Sequence, residues 1–216
     1  MAKLMEKASW QRIKEDDDFT WKEFYQTCGF HLEIGVNPLS RLGFGTTVWG
    51  AALGLCQYFE KERIQFSDKK VIELGAGTGI VSILVALLGG DVTITDKPEI
   101  LKQIERNVSF NVAPSFKHRV KVRSLRWGRD HHLFPSDYDY ILGSDIVTFH
   151  QDVPFILESL LHLSNEKTIV YFASTMYYNQ QSISEGHLTL SQYFETELVC
   201  RYEAKDVNVY KMFRKL

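Results

Sequence analysis

Lys70-Val71-Ile72-Glu73-Leu74-Gly75-Ala76-Gly77-Thr78-Gly79-Ile80-Val81-Ser82-Ile83-Leu84 decides how this chain folds. A short apolar run passes into a glycine-rich turn and then into a longer apolar run reaching residue 88, the opening of a βαβ unit. Glycines let the backbone turn tightly and approach a ligand closely, and the start of the helix offers unpaired N–H groups. A nucleotide-like ligand is therefore expected over Glu73, Gly75, Ala76, Gly77 and Gly79. Its companion is Asp96, which ends Val92-Thr93-Ile94-Thr95-Asp96, 21 residues after Gly75, where a carboxylate can accept hydrogen bonds from ribose hydroxyls.

That pairing alone fits both NAD and S-adenosylmethionine. The glycines here run G-x-G-x-G, whereas the dinucleotide fingerprint is G-x-G-x-x-G, and position 80 is Ile. No tyrosine is followed four residues later by lysine, so the common short-chain reductase couple is also missing.

Downstream the alternation continues. Strands are predicted at residues 70–74, 92–95, 120–125, 140–143 and 168–173, and helices at 80–88, 99–111 and 152–163. The strands are continuous apolar runs of the kind buried on both faces of a parallel sheet. Residues 195–201 and 207–213 alternate instead, around a polar turn, and read as an antiparallel pair closing one edge. The predicted fold is α/β, a doubly wound, mostly parallel sheet of seven strands with an antiparallel C-terminal hairpin. Upstream, residues 21–36 read as a small hairpin about Gly29, and residues 46–61 as an amphipathic helix. The expected organisation is a flexible tail over 1–20, an N-terminal hairpin and helix over 21–66, and a ligand-binding core over 67–216.

Composition narrows the partners. Twenty-five Lys and Arg against 27 Asp and Glu leave a net charge of −2, too balanced for a binder of phosphate backbones, so no nucleic-acid partner is expected. The most hydrophobic run is far shorter than the roughly 20 residues of a membrane span. Cys28, Cys56 and Cys200 are far apart and form neither a CxxC nor a Cys/His array, so a cytosolic protein without structural zinc is expected. Adjacent His131 and His132 point in different directions and lack ligand-spaced partners, so no metal site is expected there. Asn107-Val108-Ser109 matches a glycosylation sequon, which the cytosolic reading makes inert.

Two further segments lie where open α/β sheets bind ligands, beyond the carboxyl ends of their strands. In Leu125-Arg126-Trp127-Gly128 the indole either stacks on an adenine or packs on the surface. In Leu142-Gly143-Ser144-Asp145-Ile146-Val147-Thr148 the Asp145 carboxylate either caps its loop or accepts an amine N–H and orients the lone pair for methyl transfer.

Taken together, Val48-Trp49-Gly50-Ala51-Ala52, residues 71–79, 91–96, 125–128 and 142–147 resemble the seven-β-strand protein-lysine methyltransferases, the group that modifies heat-shock 70 chaperones, valosin-containing protein and elongation factor 1-alpha. The similarity spans nearly all of residues 30–213. Tyr58-Phe59-Glu60, residues 69–81, 89–96, Trp127-Gly128 with Asp130-His131-His132, and Val207-Asn208-Val209-Tyr210 look closest to the branch acting on elongation factor 1-alpha. The resemblance implies a cytoplasmic, monomeric, S-adenosylmethionine-dependent lysine methyltransferase acting on a folded protein, elongation factor 1-alpha first and a heat-shock 70 chaperone second. It implies that Trp49, Gly75, Ala76, Gly77, Asp96, Trp127 and Ser144 line the cofactor pocket and that Asp145 is the acidic residue of the family's D-x-x-Y motif. The aromatic position of that motif holds Thr148, with Phe149 one residue later, so the substrate channel either lacks its ring or takes it from Phe149. A non-catalytic module that keeps the cofactor fold is the rival from another class, and Thr148 is the feature in its favour.

Overall fold

The computed structural model describes residues 7–12, 21–177 and 180–215. Its main sheet is assembled as the glycine turn implies. Strands β4 (Lys70–Leu74), β5 (Asp91–Asp96), β6 (Val120–Ser124), β7 (Tyr140–Ser144) and β8 (Ile169–Thr175) are parallel, and β9 (Phe194–Tyr202) and β10 (Val207–Arg214) complete it in the order β6-β5-β4-β7-β8-β10-β9. The chain winds outward from β4 to β6 and then returns to β7 on the other side of β4, which opens a crevice at the carboxyl ends of β4 and β7.

The C-terminal pair is antiparallel as expected, but β10 slots between β8 and β9 and the earlier strand takes the edge. Burial explains the order. Val207, Val209 and Met212 on β10 are fully buried, whereas Glu195, Leu198 and Arg201 on β9 face solvent. Charged residues on an edge strand also discourage edge-to-edge pairing.

Helices α1 (Gly50–Glu62), α2 (Ile80–Leu87), α3 (Pro98–Asn111) and α4 (Val153–Leu163) match the predicted segments, with one shifted start. Helix α1 begins at Gly50 instead of residue 46, because Trp49 is extended and a separate turn, Phe44–Thr46, precedes it. Helix α5 (Gln180–Leu190) was not predicted. Its buried face consists of Ile183, Gly186, His187 and Leu190, and two of these four carry no apolar signal. Gly186 lies so close to the loop after β7 and to the start of α4 that a Cβ would stand 2.5 Å from Val147 and 3.0 Å from Val153.

The predicted N-terminal hairpin is present as β2 (Trp21–Thr27) and β3 (Phe30–Val36), joined by Cys28 and Gly29 with φ of 51° and 78°, the backbone of a tight two-residue hairpin turn. The expected 1–20 tail needs correction over part of its length. Lys7–Arg12 forms β1, antiparallel to β2, and the Lys7 ammonium meets the Glu23 carboxylate at 2.6 Å. This strand is held by a backbone ladder along the edge of β2, for which hydrophobic periodicity carries no sign. The acidic run 15–18 lies outside the described residues.

Two asparagines of α3 tie this small sheet to the core. Asn107 accepts the Gly35 N–H at 2.8 Å and donates to the carbonyls of Gly35 and Thr78, while Asn111 accepts the Glu33 N–H at 2.8 Å. The sequon asparagine is thus fully buried, with its amide committed. Among the described residues no helix is long and apolar enough to cross a membrane.

Candidate active site

The crevice at the carboxyl ends of β4, β5 and β7 holds a cavity of about 660 Å³, within the range of small-molecule sites. Its floor is the glycine turn. Gly75, Gly77 and Gly79 have φ of 62°, 57° and 79°, a left-handed backbone that side chains disfavour. A Cβ on Gly75 would lie 2.8 Å from both Ile146 and Trp127, and one on Gly77 would lie 3.3 Å from the Gly45 carbonyl. The turn is tied to β5, since Ala76 N–H donates to the Thr95 carbonyl at 3.0 Å and the Thr95 hydroxyl donates to the Glu73 carbonyl at 2.6 Å. Gly75→Ala combines a strained φ with two contacts, and is expected to cost about 2–5 kcal/mol, a fall in Tm of roughly 5–15 °C by calorimetry.

Asp96 is placed as expected. One carboxylate oxygen accepts the Gly77 N–H at 2.8 Å and the other the Lys97 N–H at 2.7 Å, which aligns the acid along the turn while the residue lines the cavity. Burial raises its pKa, and the N–H groups of Gly77 and Lys97 and the Lys97 charge oppose that. Trp49, Gly75, Ala76, Gly77, Trp127 and Ser144 also line the cavity, so the sequence-predicted set converges there.

Two members do not reach it. Glu73 is fully buried beneath the turn, where its carboxylate accepts the Ser82 N–H at 3.1 Å. Gly79 caps helix α2 in the left-handed conformation. Both residues shape the cradle from behind, and neither lines the cavity. Desolvation pushes the Glu73 carboxyl up to about 8, with Ser82 opposing and Asp96 adding to the rise.

Asp145 also lines the cavity, in a left-handed backbone, φ 53°, which aspartate tolerates better than most side chains. Its carboxylate accepts the Thr175 N–H at 2.7 Å, the Thr175 hydroxyl at 3.0 Å and the N–H of Ala51 at the start of α1. Burial raises its pKa and these three donors lower it. The capping role considered from the sequence is therefore present, directed at α1 and β8 and not at its own loop. Each carboxylate oxygen has two lone pairs, so the group can accept a further N–H from a ligand.

The substrate-channel residues separate. The Thr148 hydroxyl turns back onto the Asp145 carbonyl at 2.6 Å, whereas Phe149 is 42% exposed and meets the ring of Phe44 at 6.1 Å. Both line the cavity, so an aromatic ring is present there at position 149 and absent at 148. After β8, Met176 is buried and Tyr177 exposed, while residue 178 lies outside the described residues.

Phe44, Ile146 and Phe155 also line the cavity and were missed. Phe44 sits between Gly43 and Gly45 in a loop that reads only as a turn, and its approach to the site depends on how that loop folds back.

The profile of the lysine methyltransferase family matches residues 32–188. The chain belongs to that family. This lysine methyltransferase is 44% identical over 198 residues to EEF1A lysine methyltransferase 3 of Xenopus tropicalis, covering 92% of the chain and 88% of the relative, and 46% identical over 195 residues to that of Mus musculus, covering 90% and 83%. It is 40% identical over 173 residues to protein N-lysine methyltransferase METTL21A of Danio rerio, covering 79% and 78%. Its fold matches P. horikoshii TYW2 in complex with MeSAdo, with TM-score 0.56, 16% identity and coverage of 90% and 72%. The methyltransferase sheet is thus Rossmann-like, and the chain is a protein-lysine N-methyltransferase with a protein substrate.

Proposed function

We propose that this enzyme transfers a methyl group from S-adenosylmethionine to a lysine ε-amine of elongation factor 1-alpha, acting as a cytoplasmic monomer with no nucleic-acid partner. The observation that carries the cofactor reading is the cradle itself: three left-handed glycines against Asp96, with the half-buried Trp127 beside Gly75. The two EEF1A lysine methyltransferase 3 relatives support the substrate, and the family resemblance makes a heat-shock 70 chaperone the second candidate.

The residues fit such a cofactor. Asp96 would accept from the ribose hydroxyls, Trp127 would flank the adenine, and Gly75, Ala76, Gly77 and Ser144 would bring backbone close to it, with Trp49 closing the near side. When bound, S-adenosylmethionine supplies an electrophilic methyl carbon on a sulfonium. The lysine must present a neutral amine, although an unperturbed ammonium loses its proton only near about 10.4. Phe149 and Phe44 keep water from the entrance, which strips the N–H-bearing ammonium of its hydration and lowers that pKa. Asp145, held by Thr175 and Ala51, accepts one amine N–H and so aims the nitrogen's lone pair.

The test is incubation with labelled S-adenosylmethionine and either elongation factor 1-alpha or a heat-shock 70 chaperone. A single labelled lysine in the former is expected, and label confined to the chaperone would reverse the substrate order. Asp145→Asn keeps a side chain that tolerates the left-handed backbone and is expected to lower kcat by about 100-fold with the fold intact. Full activity in that variant would reduce Asp145 to its capping role. Because Phe149 already lines the wall, Thr148→Tyr is expected to leave the rate within about twofold, while Phe149→Ala lowers kcat/KM about tenfold, the effect of losing one large apolar contact. A large gain in Thr148→Tyr would show that Phe149 does not replace the missing ring.

A further inference from the structure

The loop 37–46 folds back across the cavity and ends where it began, with Asn37 N–H donating to the Thr46 carbonyl at 2.8 Å. It is pinned to the core at Gly45, whose carbonyl accepts from the Gln103 side chain at 3.4 Å and whose Cα packs so near α3 that a Cβ would stand 3.1 Å from Ile100. Its apex, Gly43 at φ 87°, presents Phe44. Phe44 is 68% exposed, yet its backbone is held, because the Trp49 indole N–H donates to the Phe44 carbonyl at 2.7 Å. A phenylalanine held in place without being buried contributes little to the core, so its placement calls for another reason.

Among the described residues Phe44 meets the rings of Trp49 at 5.8 Å and Phe149 at 6.1 Å between centroids, with interplanar angles of 59° and 45°. Rings tilted in this way do not cover one another's π faces, unlike a parallel stack. All three line the cavity that Asp145 also walls. The two walls differ in chemistry. A carboxylate suits an amine that still carries N–H groups, and aromatic faces suit a nitrogen whose hydrogens have been replaced by methyls, because its charge spreads over apolar carbons that water and hydrogen-bond acceptors serve poorly.

We propose that Phe44, Trp49 and Phe149 form a collar that holds the lysine nitrogen once it has been methylated, and that Phe44 thereby controls how far methylation proceeds. The inference rests on the reading of this cavity as the lysine site. Each addition replaces one N–H by a methyl and moves the preference from the Asp145 wall toward the rings, so a partly methylated lysine remains a good substrate.

The test has a binding arm that needs no turnover. N-acetyl-Nε-trimethyllysine methylamide and its neutral isostere, with carbon in place of the ε-nitrogen, are titrated into the protein while the Phe44 and Phe149 ring resonances are followed by NMR. The cation is expected to bind about fivefold tighter than the isostere in the wild type, a preference that Phe44→Leu and Phe149→Leu each largely remove while keeping apolar bulk. Equal affinity for the two compounds, binding of neither, or an unchanged preference in both leucine variants would overturn the collar. In the kinetic arm the ratio of the rate on monomethylated substrate to that on unmodified substrate is expected to fall about fivefold in Phe44→Leu. An unchanged ratio would likewise count against it. No transfer by the wild type to any lysine would sink the active-site reading instead, and the binding arm would still decide the collar.

Discussion

Asp96→Ala is expected to weaken binding of S-adenosylmethionine and of its demethylated product by at least about 100-fold in titration calorimetry. A hydrogen bond to a charged acceptor contributes about 1.5–3 kcal/mol, and two ribose hydroxyls would therefore lose roughly 3–6 kcal/mol, where about 1.4 kcal/mol is a tenfold change. The substitution also frees the Gly77 N–H, which the Asp96 carboxylate now receives at 2.8 Å, so the turn loses the bond that shapes it. A comparison of Tm with and without ligand separates the two contributions, because loss of the tether lowers both values and loss of the ribose contacts removes only the ligand-induced rise. Affinity within tenfold of wild type would detach Asp96 from the cofactor. Saturation with a nicotinamide dinucleotide, and none with the sulfonium donor, would overturn the proposed chemistry altogether.

The second large effect is a pH dependence located at Glu73. Its carboxyl is raised from the ordinary 4.5 to about 8 chiefly by burial, so the folded protein keeps a proton that the unfolded chain releases. A carboxyl with a raised folded pKa contributes stability that is fully present below 4.5 and is lost as pH rises through about 8. Between those values the slope approaches about 1.4 kcal/mol per pH unit. His187 acts in the opposite direction at lower pH. Burial depresses it from 6.5 to about 4, so stability increases across that interval, and the Glu73 effect is cleanest from pH 6.5 to 8. Glu73→Gln, which carries no charge at any pH, is expected to flatten the curve in that window and to exceed the wild type by a few kcal/mol at pH 8 in denaturant titrations. Parallel curves for the two proteins would show that Glu73 does not hold the proton.

These predictions involve residues that the sequence reveals unequally. Asp96 is legible because the distance from a glycine turn to the acid on the next strand is set by the length of one crossover helix. Glu73 is legible as part of the motif, but its role is not. In the strand it is one more position in an apolar run, and only the packing of α2 over it shows that it sits behind the cradle with one carboxylate oxygen, Oε1, unpaired among the described residues. Asp145 stands between these cases. Its position at the end of β7 follows from the pattern, whereas its bonds to Thr175 and Ala51 join residues remote in sequence. Helix α5 was missed for a related reason, since glycine and histidine fill its buried face and carry no hydrophobic period.

The amino-acid order by itself determined the alternating α/β architecture, the glycine cradle and its acidic partner, because each depends on local periodicity and on short-range spacing. Tertiary structure alone decided that β10 lies inside β9, that Lys7–Arg12 extends the small sheet, and that Phe44 meets Phe149 at the cavity. Those outcomes turn on contacts between distant segments, where the free energy of burial and pairing depends on which surfaces meet and leaves no repeat along the chain.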